Sequence, residues 1–308
     1  MRHRTAVLVL FGAGLLAGQG KTIGSVEFFA FEGVDTAALR ESLPVRAGQP
    51  FSAMAVEETK RRIREAVLGG LGRAPSDVAL VCCDDSGNWV VFIGLSPDAR
   101  SYRAEPKGAV RLPTELLRLE KRMMAAWMDA VQRGAAGEDR SQGYALGSDS
   151  RLRAEQQQLR SLALRLEEKL FAVLAGSADA EHRAIAANAL GYARQSPRQL
   201  RALMDAAGDS SSGVRNNAVR ALGVLLEAKP KLRAVVPVRL FTDLVRSGIW
   251  TDRNKGAYVL MELTASHDRA LLNEIAAAAL PALREMAQWQ SSGHAAAART
   301  LLERIATP

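Results

Sequence analysis

Glu138, Asp139, Ser141 and Tyr144 come nearest to a reactive cluster in this sequence. Two adjacent carboxylates beside hydroxyls are raw material for general acid–base chemistry. A nucleophilic serine also requires a base within reach, and no His or Lys stands near Ser141. The four histidines, His3, His182, His267 and His294, are scattered, and no HExxH, GxSxG, glycine-rich phosphate loop or CxxC occurs. No zinc-type spacing is present either. The sequence therefore implies no cofactor and no metal, and the polar cluster reads as part of a solvated loop. An enzyme with its site in the 134–150 loop is the last of three functional readings.

The two cysteines, Cys82 and Cys83, are adjacent. Neighbouring residues of a strand point to opposite faces, so bridging them needs a turn. The expectation is two free thiols, one buried, with a vicinal disulfide as the alternative.

Residues that position such groups must come from the elements around them. The composition is 48% hydrophobic and 24% charged, ordinary for a globular chain, and 308 residues suggest about two domains. Aromatic residues make up only 5%, which favours close-packed helices over a β-sandwich. The formal charge is +8, yet residues 21–98 carry 8 Lys and Arg against 11 Asp and Glu. Basic and acidic residues are interspersed in the rest, which argues against nucleic acid as a partner.

Residues 1–20 combine Arg2 and Arg4, an apolar run from Ala6 to Ala17 and small residues after it. That is the layout of a secretory signal peptide, with cleavage expected before Lys21. The apolar run is too short to span a bilayer, so no integral span is expected in the mature chain. Gln19 stands where a lipid-bearing cysteine would be needed, so the chain is not read as a lipoprotein. The expected location is the periplasm of a bacterium.

Residues 21–98 read as strand, helix, helix, strand, strand. Ile23–Gly33 supplies the first strand, Thr36–Leu43 a short helix with Asp35 or Thr36 as cap, and Ser52–Gly70 a longer one. Val78–Cys83 and Trp89–Leu95 flank the turn residues Asp84 to Asn88 as a hairpin. The expectation is a two-layer α+β module with both helices on one face of the sheet. Residues 99–150 read as a linker that contains one amphipathic helix at 114–133 and a flexible loop at 134–150. The helix stripe is assigned to Leu117, Met124, Trp127, Met128 and Val131. Arg151–Gly176 reads as one long amphipathic helix.

With "FEGV", "LRESLPVRAGQPF" and a closing hairpin in this order, residues 21–98 resemble the POTRA-like modules of bacterial envelope proteins. The resemblance implies an interaction module whose sheet edge can accept a partner strand.

The stretch "GVRNNAVRALGVLL" (Gly213–Leu226) recurs. Aligned on Arg215, Ala218 and Leu222, it has counterparts in Arg183, Ala186 and Leu190, in Arg253, Gly256 and Leu260, and in His294, Ala297 and Leu301. Gly191 and Gly223 follow the first two leucines. Asp179, Asp209 and Asp252 precede the first three copies. Other helical segments alternate with these, so the unit is helix, turn, helix, the layout of a solenoid. The pattern resembles HEAT repeats over 151–308, most closely at "DSSSGVRNNAVRALGVL". The resemblance implies an α-solenoid, placed after the small α+β module, that binds other macromolecules.

Together these readings favour a non-enzymatic, exported scaffold or adaptor for an unidentified protein partner. The alternative is an envelope-assembly factor that takes client strands by β-augmentation. Candidate partner-binding residues are Arg183, Asn188, Arg215, Asn216, Asn217, Arg220, Arg253 and Asn254. For each, a hydrogen bond or ion pair between repeats is the competing role.

Overall fold

The computed structural model describes residues 22–96, 102–135 and 137–307. The expected signal peptide, residues 1–20, lies outside them. The chain divides into two compact units. One joins the N-terminal module with residues 242–257 and 267–308; the other joins residues 101–241 and 258–266.

In the first unit, β1 (Ile23–Phe29), α1 (Thr36–Ser42), α2 (Val56–Leu71), β2 (Asp77–Cys82) and β3 (Trp89–Gly94) follow in the expected order. Asp35 caps α1 by accepting from the amides of Ala37 and Ala38. The sheet order is β1-β3-β2, with β3 parallel to β1 and antiparallel to β2. The β2–β3 turn is held by Asp84, whose carboxylate accepts from the amides of Ser86 and Asn88. Val26, Phe28, Val91 and Ile93 pack on one face against Leu39, Ile63 and Val67 of α1 and α2.

Every residue of β3 is buried. The expected two-layer module is therefore corrected to three layers. On the second face Phe92 packs against Trp250, Trp289 and His294, all of the same unit, with centroid separations of 5.2, 4.8 and 5.5 Å. A run such as Val90–Leu95, apolar at successive positions, has to be covered on both sides. The expectation of free thiols is also corrected: Cys82 and Cys83 are joined as a vicinal disulfide at the end of β2.

In the second unit, α3 (Thr114–Gln132) begins after Pro113 and packs on α4 (Ser150–Arg165). Its buried stripe is Leu116, Leu119, Met123, Ala126 and Ala130, one position away from the expected one. Small Ala126 and Ala130 are fully buried, while Met124 is left 48% exposed. The expected long helix from Arg151 is broken at Leu166, where α5 (Glu167–Gly176) starts. The expected flexible loop contains a small hairpin, β4 (Glu138–Asp139) with β5 (Leu146–Gly147), and buries Ala145 and Leu146.

From α5 onward the described residues form helix–turn–helix pairs: α5 with α6 (Ala180–Leu190), α7 (Pro197–Ala206) with α8 (Ser212–Ala228), α9 (Val238–Val245) with α10 (Trp250–Leu263), and α11 (Arg269–Ala287) with α12 (Ser292–Ala306). No helix among the described residues is long and apolar enough to cross a membrane.

The glycines after the repeat leucines mark where successive second helices touch. A Cβ at Gly191 would stand 2.9 Å from the Ala221 side chain, and one at Gly223 would stand 2.3 Å from the ring of Tyr258. Alanine ordinarily stabilises a helix interior by about 1 kcal/mol over glycine. At Gly223 the rigid ring opposes this gain, because overpacking costs about 1–3 kcal/mol. Gly223→Ala is expected to lower stability by up to about 2 kcal/mol in urea denaturation.

Candidate functional site

The arginine shared by the first three repeat copies makes one contact in all of them. It folds back onto the carbonyl six residues earlier, in the turn between the paired helices. Arg183 donates to Ser177 O at 2.9 Å, Arg215 to Asp209 O at 2.8 Å and Arg253 to Ser247 O at 2.6 Å. These carbonyls lie where helix geometry leaves groups without intrahelical partners, and a guanidinium can supply donors in a planar fork.

None of the three is a surface group: their exposures are 0%, 1% and 2%. Each charge is compensated locally. Arg183 pairs with both carboxylate oxygens of Asp209, at 2.9 Å each. Arg253 pairs with Glu285 at 2.7 Å. Arg215 stacks 3.9 Å over the ring of Tyr102. In the fourth copy His294 packs edge-on against Phe92 and Trp250, and burial pushes its pKa down to about 4, so the ring is neutral there.

Five positions after the arginine, the aligned residues are Asn188, Arg220 and Tyr258. The structure brings them into one polar row in the second unit, answered by residues of the 114–147 segment. Asn188 donates to both carboxylate oxygens of Glu120 on α3, at 3.0 and 3.2 Å. Arg220 pairs with Glu138 of β4. Tyr258 accepts from Arg140 at 3.1 Å and donates to Glu227 at 3.0 Å. Glu138 is shared, since Arg140 also binds it at 3.0 Å. Tyr192, just past α6, donates to Ala145 O at 2.8 Å, and Gln195 donates to Gln142 O.

The remaining candidates are also inside the stack. Asn217 donates to Ala184 O on the preceding second helix at 2.9 Å, and Asn216 donates to Asn217. Asn254 is 3% exposed. Glu120, Arg140, Tyr192, Glu227 and Tyr258 were not singled out from sequence. The five-residue offset from the repeat arginine would have found Tyr258; nothing in the spacing marks the others.

The acid–base cluster does not assemble. Glu138 is taken by the two arginines. Asp139 turns to the exposed side and accepts from the Ser141 amide at 3.0 Å and hydroxyl at 2.7 Å. Tyr144 packs under the guanidinium of Arg160, 4.5 Å from its ring centroid. The cavity lined by Tyr144, Asn188, Tyr192 and Arg220 measures about 10 Å³, too small for a substrate.

The segment before α3 fastens the repeat turns. The Arg103 amide donates to Gly208 O at 2.9 Å, the Gly108 amide to Gly176 O at 2.9 Å, and the Leu112 amide to His182 Nδ1 at 2.8 Å. A groove of about 770 Å³ lies between α5 and α7, lined by Arg103, Phe171, Arg198, Arg201 and Asp205 among others.

Residues 167–247 match the HEAT repeat family. The match runs from the start of α5 to just past α9 and contains the first two arginine copies. No curated protein matches the chain. HEAT repeats are protein-interaction scaffolds as a rule, and this stretch has their helix-pair architecture.

Burial holds the Glu120 carboxyl up at about 7, with the Asn188 bond opposing that shift. The unfolded chain releases this proton near 4.5. Between these values the folded chain binds more protons, so the Glu120 contribution to stability falls as pH rises through them. His294 has the opposite sign below pH 6.5, because the folded chain keeps it neutral. The comparison with Glu120→Gln isolates the carboxyl. From pH 5 to 8 the variant is expected to gain on the wild type by at most about 3 kcal/mol, read by urea denaturation across pH. Asp209→Ala removes the bidentate carboxylate partner of the fully buried Arg183 guanidinium. It is expected to cost about 3–5 kcal/mol by the same measurement.

Proposed function

We propose that this protein is a non-enzymatic scaffold that holds a protein partner outside the cytoplasm. The observation that carries the reading is the HEAT match over residues 167–247, where α5 packs with α6, α7 with α8, and α6 with α8. Such pairs are built to present long surfaces rather than a reaction centre. Export follows from the signal-peptide layout of residues 1–20, and the interspersed charge argues for protein over nucleic acid. With the buried arginines committed to the fold, the surfaces offered to a partner are the groove between α5 and α7 and the exposed side of α3 around Met124.

A second reading, an envelope-assembly factor of POTRA-like design, has support in the sheet. β3 is its central strand, so β1 and β2 are the edges. Among the described residues β1 is partly covered by the Thr22 bridge to Pro50 and the Gly48 amide on Ile23 O. Among the described residues β2 pairs with β3 alone, which supports reading its outer side as the place for an added client strand.

Photo-crosslinkers at Arg201, Met124 and Ala79 sample the groove, α3 and the β2 edge. In cells, one specific protein adduct at Arg201 or Met124 is the expected result. An adduct from Ala79 alone would transfer the function to the sheet edge. Absence of adducts at all three sites would overturn both readings.

A further inference from the structure

The polar row on the second helices is seated by an extended piece of the chain itself. Glu138 places its carboxylate between Arg220 and Arg140, with its side chain 9% exposed. Two further contacts, from Tyr192 and Gln195, are made to main-chain carbonyls, those of Ala145 and Gln142. The repeats therefore hold this segment as a peptide-binding surface holds a peptide: a buried cationic slot for one carboxylate, and side-chain donors for backbone oxygens.

The grip is uneven along the segment. Its far end is anchored in the core, with Leu146 buried and the Gly147 amide bonded to Gln156 at 2.6 Å. The stretch from Glu138 to Gln142 contains no apolar side chain and is held to the repeats by polar contacts alone. A competing carboxylate on an extended backbone offers Arg220 and Gln195 the same hydrogen bonds that Glu138 and the Gln142 carbonyl give them.

We propose that residues 138–142 are an internal cap on a peptide-binding seat formed by Arg220 and Gln195, which bind the Glu138 carboxylate and the Gln142 carbonyl, and by Glu227 and Tyr258, which bind Arg140. The ligand of that seat is an extended protein segment carrying a Glu or Asp, which enters as the cap swings out. This deepens the scaffold reading and rests on it for the biological partner, while the seat itself can be tested without one.

The probe is a fluorescein-labelled peptide with the sequence of residues 137–147, read by fluorescence anisotropy against the full chain. In one variant residues 138–142 are replaced by a Gly-Ser pentapeptide. This opened variant is expected to bind the peptide at least about tenfold more tightly than the wild type. A peptide with Gln in place of Glu138, or Arg220→Gln in the opened variant, should lose about tenfold. No binding by a folded opened variant, or equal affinity for the Gln peptide, overturns the proposal.

If the opened variant does not fold, Glu138→Gln in the intact chain replaces it, followed by amide hydrogen exchange. Exchange across 138–145 about tenfold faster, with α6 and α8 unchanged, supports a separable cap. Unchanged exchange, or exchange raised equally across α6 and α8, overturns it. Peptide binding without any cellular adduct would sink the scaffold reading alone; adducts without peptide binding would sink the cap alone.

Discussion

The contact on which the repeats depend is an arginine turned back on its own interhelix turn. A guanidinium with no exposure is expensive to bury, and the helix pair recovers that cost only if every donor finds an oxygen. Arg183 does so through Ser177 O and the two oxygens of Asp209. Asp209 belongs to the turn of the following pair, so one ion pair ties two repeats together. The same bond sets the rotation of the second helix about its axis. Residues five positions on then face the polar row, and residues eight positions on face the next second helix. Gly191 and Gly223 sit at that later position, where only a hydrogen fits between backbone and neighbour.

The 102–150 segment is part of this architecture. Tyr102, Glu120 and Glu138 each answer a repeat residue: Arg215, Asn188 and Arg220. Polar side chains at recurring solenoid positions look like a partner surface in the one-dimensional sequence. Here three of them are satisfied by the chain itself. What distinguishes these contacts is their depth. The repeat arginines are sealed, whereas the stretch that carries Glu138 is polar and terminates a hairpin. Glu120 sits between these extremes, buried enough to hold its proton near neutrality and bonded by the neutral Asn188 amide.

The first unit obeys a different constraint. A central strand with no exposed residue requires apolar cover on both faces, and α1 and α2 supply one only. Trp250, Trp289 and His294 supply the other. This accounts for the histidine at the repeat position that holds arginine elsewhere. Against the rings of Phe92 and Trp250 a neutral flat ring packs, and burial keeps His294 in that form.

Periodicity and punctuation in the sequence were enough for the element order β-α-α-β-β, a cap at Asp35 or Thr36, the helix pairs after Asp179 and the equivalence of Arg183, Arg215 and Arg253. These are local properties, set by backbone propensity and by the spacing of apolar residues. The unbroken apolar run Val90–Leu95 also carried, unread, the demand for a third layer. Other features were settled only by tertiary packing. On α3, apolar residues surround most of the helix, so the pattern alone could not say that Ala126 and Ala130 are buried while Met124 stays out. The role of the candidate residues was equally closed to sequence, because an arginine that binds a partner and one that binds a buried turn are the same residue at the same spacing. The difference lies in whether an oxygen from a distant part of the chain reaches it, and that is decided by the fold in three dimensions.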